Sequence, residues 1–128
     1  MKKVLIVDDE SEILDILQSR FDAKGYRVVR AVDGDSALKQ TRAERPDIVL
    51  MDVTMPEPNG YMVCRTIKDS EDLKAIPVVL LTGRNSDSDR FWGEESGADA
   101  YMTKPYELAE LMRVVEGFIG LPDEELQA

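Results

Sequence analysis

Apolar positions along this chain fall into two alternating patterns. Short apolar runs, Val4 to Val7, Ile48 to Met51 and Ile76 to Leu81, have the length and β-branched content of strands covered on both faces, and the more mixed Tyr26 to Ala31 and Asp99 to Thr103 read as two further strands. Between them the apolar residues recur at helical spacing: Ile13, Leu14, Leu17 and Phe21 after Ser11; Ala37, Leu38 and Thr41 after Asp33; Val63, Cys64 and Ile67 between about Gly60 and Asp69; and Leu108, Leu111, Met112, Val115 and Ile119 after Lys104-Pro105, which is expected to open the last helix. Gly25 and Gly97 stand where helices close, and Arg45-Pro46 ends the second helix. The fourth helix, from about Ser86 to Ser96, is the weakest: it is charged, poor in apolar positions and expected to be broken by Gly93.

Five strands alternating with five helices predict an α/β fold, a doubly wound (βα)5 sandwich on a parallel sheet, because each parallel strand pair needs a crossover helix. The third strand is central to the argument. It ends on Asp52, followed by a connector rich in proline and glycine, and open α/β sheets bind ligands outside the carboxyl ends of their strands.

Composition narrows the class. With 128 residues the chain is one domain of ordinary size. Its single cysteine, Cys64, excludes an internal disulfide, and the absence of histidine removes the usual zinc ligands. A net charge of -10 argues against direct nucleic acid binding and favours protein or cation partners. No run is long enough to span a membrane, the opening residues lack a cleavage-site pattern, and a cytoplasmic location is expected. The polar segment 121–128 reads as a tail, or as the way into a further linker or effector.

Four strands end in residues capable of chemistry: Asp8 and Asp9 after the first, Asp52 after the third, Thr82 after the fourth and Lys104 after the fifth. Each has an ordinary explanation alone, the acids as helix caps or turn residues, Thr82 as a β-branched strand residue and Lys104 as a surface cation. A parallel sheet places these four strand ends on one edge, and the convergence of the five side chains favours a site. Three neighbouring carboxylates repel unless a cation intervenes, and a hard divalent ion with oxygen ligands, magnesium in a cell, suits them. A phosphoryl group could then be held by Lys104 and Thr82 while Asp52 attacks phosphorus in line, giving a labile acyl phosphate.

These residues resemble a known family. Val7-Asp8-Asp9, the turn Met51-Asp52-Val53-Thr54-Met55-Pro56 with Gly60 beyond it, Leu81-Thr82-Gly83, Gly97-Ala98-Asp99 and Lys104-Pro105 are together similar to the receiver domain of two-component response regulators, of the chemotaxis-regulator kind, over residues 1–120. The resemblance implies a flavodoxin-like fold with strand order 2-1-3-4-5. It implies a signalling switch rather than an enzyme, one that assists its own phosphorylation and dephosphorylation, with Asp52 as acceptor from a sensor kinase phosphohistidine or a phosphotransfer protein. By the same resemblance Asp9, Asp52 and the Thr54 backbone carbonyl ligate Mg2+ directly and Asp8 acts through water. Lys104 pairs with the phosphoryl oxygen, Thr82 moves towards it, Tyr101 is the switch aromatic, and Lys104-Pro105 is cis.

Pro58-Asn59 departs from the family pattern and is expected to stiffen the loop, while the resemblance implies that Thr54 and Arg84 occupy the two variable positions that influence phosphoryl lifetime. Phe91 is expected in the core. Trp92 is then left as an interface candidate on the face made by the fourth helix, fifth strand and fifth helix, through which a downstream protein target or a homodimer partner would bind. Two alternatives compete with the switch: a pseudo-receiver that binds partners without phosphorylation, and an aspartyl-phosphate hydrolase, ranked lower because Thr54 stands where such phosphatases carry a second acid.

Overall fold

The computed structural model describes residues 1–83 and 87–122, with the side chains of 87–90 excluded. Arg84, with its expected effect on phosphoryl lifetime, and most of the polar tail lie outside the described residues. The elements alternate without exception: β1 (Lys3–Val7), α1 (Ser11–Lys24), β2 (Arg27–Ala31), α2 (Gly34–Glu44), β3 (Ile48–Asp52), α3 (Gly60–Asp69), β4 (Val78–Thr82), α4 (Asp87–Glu95), β5 (Ala100–Thr103) and α5 (Leu108–Ile119). All strand pairs are parallel and the sheet order is β2-β1-β3-β4-β5, the flavodoxin-like arrangement.

Strand periodicity divides the core in two. Leu5, Val7, Val49, Met51, Val78 and Leu80 point to one face, where Ala37 of α2 and Val63, Cys64 and Ile67 of α3 cover them. Val4, Ile6, Ile48, Leu50, Val79 and Leu81 point to the other, against Leu14, Leu17 and Phe21 of α1 and Leu111, Met112 and Val115 of α5. β3 and β4 are buried along their whole length, which is why they read as unbroken apolar runs. The edge strands β2 and β5 are only partly covered.

Helix ends follow local chemistry. Asp33 caps α2 by accepting from the Ser36 amide at 2.7 Å, and the Ser36 hydroxyl accepts from the Asp33 amide, so two otherwise unpaired donors are satisfied reciprocally. Gly25 closes α1 with φ of 100°, a left-handed conformation that suits glycine. The last helix starts later than its proline suggested. Pro105 and Tyr106 lie outside it, and α5 begins at Leu108 with Glu107 in the cap position, making no side-chain cap bond.

α4 also differs from its sequence reading. It is continuous through Gly93, whose place is explained by a tertiary contact: a Cβ there would stand 2.9 and 3.0 Å from two ring carbons of Tyr101. The bare backbone therefore seats the tyrosine ring. Phe91 is not in the core but 53% exposed, edge-to-face with Trp92 at 5.4 Å between ring centroids. The helix turns Gly93 and Ser96 inward instead, with the Ser96 hydroxyl donating to the Gly93 carbonyl at 2.6 Å.

Two glycines bring the loop after β3 down onto the sheet. At Gly60 a Cβ would meet the Asp52 carbonyl oxygen at 2.6 Å, and at Gly34 it would meet the Pro58 carbonyl oxygen at 2.2 Å and Pro58 Cγ at 2.7 Å. Both Glu57-Pro58 and Lys104-Pro105 are cis. Because the Gly34 neighbour is backbone, Gly34→Ala forces the loop away from α2 and is expected to lower stability by about 1–3 kcal/mol, the usual range for overpacking, as a shifted midpoint in urea unfolding.

Candidate functional site

The sheet delivers the predicted carboxylates to one edge. Asp8 follows β1 and Asp52 ends β3, both almost wholly buried at 2% and 3% exposure, while Asp9 is exposed beside them. Carboxylate oxygens of Asp8, Asp9 and Asp52 all lie within 4.8 Å of one another. The strand register fixes this proximity, since Val7 pairs with Met51 and each acid is the next residue along.

Each buried carboxylate is held by its own turn. Asp8 Oδ1 accepts from the Glu10 amide at 2.9 Å as the chain enters α1. Asp52 Oδ1 accepts from the Thr54 amide at 3.2 Å and from the Thr54 hydroxyl at 3.1 Å. The hydroxyl contact was not foreseen; its signal is a threonine two residues beyond an aspartate, a spacing at which side chain and backbone commonly bond.

Lys104 supplies the opposing charge. Its ammonium stands 3.4 Å from Asp52 Oδ1 and 3.8 Å from Asp8 Oδ2, brought there by β5 and by its amide bonding the Thr82 carbonyl. Thr82 itself is fully buried at the end of β4. Tyr106, absent from the sequence reading, belongs to the same neighbourhood: burial and then the charges of Asp8 and Asp52 push its phenol up. An aromatic directly after a lysine-proline pair at a strand end was the available clue.

The remaining candidates lie farther out. Tyr101 is half-buried on β5 over Gly93. Trp92, 54% exposed, lines a groove with Tyr61, Met62 and Arg65 of α3.

Among the described residues one ammonium faces three carboxylates, which leaves the edge with excess negative charge. Burial, the largest influence, and the Asp52 charge push the Asp8 carboxyl above its ordinary value of 3.8, against the lowering effects of the Glu10 amide and Lys104. The donor set is all oxygen, compact and partly buried, which fits a hard divalent cation and not a soft one.

An α/β domain of order 2-1-3-4-5, with an acidic cluster and a lysine at the carboxyl edge, is the class defined by this geometry. Residues 4–116 match the response regulator receiver domain, and the chain belongs to that family, part of two-component signalling. It is 37% identical to the alkaline phosphatase synthesis transcriptional regulatory protein PhoP of Bacillus subtilis, over 98% of this chain and 54% of PhoP. The chain spans about half the length of the curated relatives it matches, which include probable transcriptional regulators ycf27 of Guillardia theta and Cyanophora paradoxa. Among solved structures it is similar to the chemotaxis protein CheY4 of Vibrio cholerae, with TM-score 0.85 and 29% identity over 92% of this chain and 98% of that one. The receiver domain of sensor histidine kinase PA1611 from Pseudomonas aeruginosa, solved with a magnesium ion coordinated in its active site cleft, matches with TM-score 0.85 and 30% identity over 93% of this chain and 98% of that one. Among the described residues no helix is long and apolar enough to cross a membrane.

The raised Asp8 carboxyl has a consequence for stability. A folded-state value above the unfolded one means that the folded chain binds the proton more tightly, so this contribution is full below 3.8 and is lost as pH rises through the folded value. Asp8→Asn keeps the acceptor for the Glu10 amide and removes the buried charge. It is expected to stabilise the metal-free protein at neutral pH, on the order of 1 kcal/mol, and to flatten the fall in stability on leaving acid conditions, as read by thermal unfolding across pH.

Proposed function

We propose that this domain is a phosphorylation-dependent switch in which Asp52 accepts a phosphoryl group from a phosphohistidine of a sensor kinase or phosphotransfer protein. The observation that carries the reading is the buried Asp52 carboxylate, held by Thr54, with Lys104 at 3.4 Å and two further acids within 4.8 Å. Asp9, Asp52 and the Thr54 carbonyl would hold Mg2+, with Asp8 acting through water. The bound ion supplies charge neutralisation for the incoming phosphoryl oxygens. In support, the PA1611 receiver carries magnesium in its cleft.

Each residue then has a task. The Thr54 amide and hydroxyl fix the rotamer of Asp52, so its nucleophilic oxygen is aligned before the donor arrives. Attack of that oxygen forms an O–P bond as the P–N bond to the donor imidazole breaks, and the imidazole leaves with the bond's electron pair. Lys104 neutralises the acceptor beforehand and a phosphoryl oxygen afterwards, and the Thr82 hydroxyl donates to another. A groove of about 380 Å³ beside Lys104, lined by Ile13, Ile16, Leu17 and Leu108 among others, offers an apolar seat next to the acceptor where a donor protein would rest. Thr82 and Tyr101 carry the change outward to the face of α4, β5 and α5, where a downstream protein or a second copy binds; the domain acts in the cytoplasm and is no enzyme beyond assisting its own phosphorylation and dephosphorylation.

Incubation with magnesium and a small-molecule phosphodonor is expected to add one phosphoryl group to the wild type, read by intact mass, and none to Asp52→Asn. No gain in the folded wild type would leave a binding module that works without phosphorylation. Magnesium alone is expected to stabilise the protein by about 2.7 kcal/mol at a hundredfold excess over Kd, and Asp9→Asn to abolish most of that gain.

A further inference from the structure

The groove between α3 and α4 has no part in the chemistry at the carboxyl edge. Tyr61, Met62 and Arg65 line it from α3, Trp92 and Glu95 from α4 and Ser96 from the turn that follows, enclosing about 280 Å³. Their spacing, i and i+4 on α3 and i, i+3 and i+4 on α4 and its closing turn, makes this one continuous strip along the two helices. Met62 is 46% exposed and Trp92 54%, both high for large apolar side chains, and Phe91 adds a third exposed apolar residue beside Trp92. The groove is large enough for one or two apolar side chains, not for a cofactor.

Charge decides the occupant. Arg65, the cation lining the groove among the described residues, is engaged within the molecule: it donates to the Glu95 carbonyl at 2.9 Å and pairs with Asp69 at 3.2 Å. Glu95 and Asp69 remain exposed beside it, on a chain with net charge -10. A second copy would bring the same excess of negative charge against this one, and an acidic peptide would be repelled likewise. We infer that the α3–α4 groove docks a cationic amphipathic segment of a partner protein, its aliphatic or aromatic anchor seated between Met62 and Trp92 and its basic residues facing Glu95 and Asp69. This goes beyond the phosphoacceptor reading and does not depend on it.

Trp92 is the only tryptophan of the chain, so its emission reports occupancy directly. The full chain is titrated with a short amphipathic leucine–lysine helix and with its leucine–glutamate counterpart, for wild type, Asp52→Asn and Met62→Glu. The lysine peptide is expected to shift Trp92 emission to the blue with saturation, equally in wild type and Asp52→Asn, and the glutamate peptide to leave it unchanged. Met62→Glu separates groove binding from general attraction, because it adds negative charge while spoiling the apolar seat. It is expected to weaken binding about tenfold, as loss of one interface anchor does. Binding by Met62→Glu as tight as wild type, equal response to both peptides, no shift with either, or a peptide-free, concentration-dependent shift accompanied by dimer in sedimentation would overturn the inference. Because Asp52→Asn is titrated alongside, failure here leaves the phosphorylation result standing, and the reverse.

Discussion

Like charges forced together by backbone geometry are the constraint on which this domain turns. Parallel pairing of β1 with β3 sets Asp8 and Asp52 side by side, and no side-chain rearrangement can separate residues fixed by strand register. The structure answers with local holders: the Glu10 amide for Asp8, the Thr54 amide and hydroxyl for Asp52, and one shared ammonium from Lys104. What remains is an excess of negative charge that a hard cation would relieve.

Much of this was visible in the residues. Strands buried on both faces must be apolar along their whole length, so β3 and β4 could be found without any other information, and their ends located Asp52 and Thr82. The helices with wide apolar stripes, α1, α3 and α5, were equally plain. α4 was not, because it has too few apolar residues for periodicity to fix its rotation about its own axis. That rotation is set by the Tyr101 ring lying over the bare backbone of Gly93, a contact between residues of different elements. Hence Phe91, expected inside, lies outside, and Trp92 lines the groove shared with α3. The start of α5 differs from expectation for a related reason: a proline permits a helix at its position but does not oblige one, and the turn that delivers Lys104 to the carboxylates takes up Pro105 and Tyr106.

The two flanks of α4 thus serve different ends. Towards the sheet, Gly93 and Ser96 let β5 approach closely, and this is where motion of Tyr101 would be felt. Towards α3, Trp92 and Glu95 form one wall of an apolar groove with an acidic surround. Since a helix moves largely as a rigid rod, displacement at one flank alters the width of the other.

At the opposite edge of the sheet the chain nearly closes on itself. The Tyr26 hydroxyl donates to the Gly120 carbonyl at 2.7 Å, and the Lys2 amide to the Pro122 carbonyl at 3.1 Å. Residues 2 and 122 are thus neighbours, about one strand's length, roughly 17 Å at 3.3 Å per residue, from Asp52. Topologically the domain is a cassette: a host polypeptide could leave and resume its path at a single surface point, carrying the domain as an insertion with its acidic edge turned away from the junction.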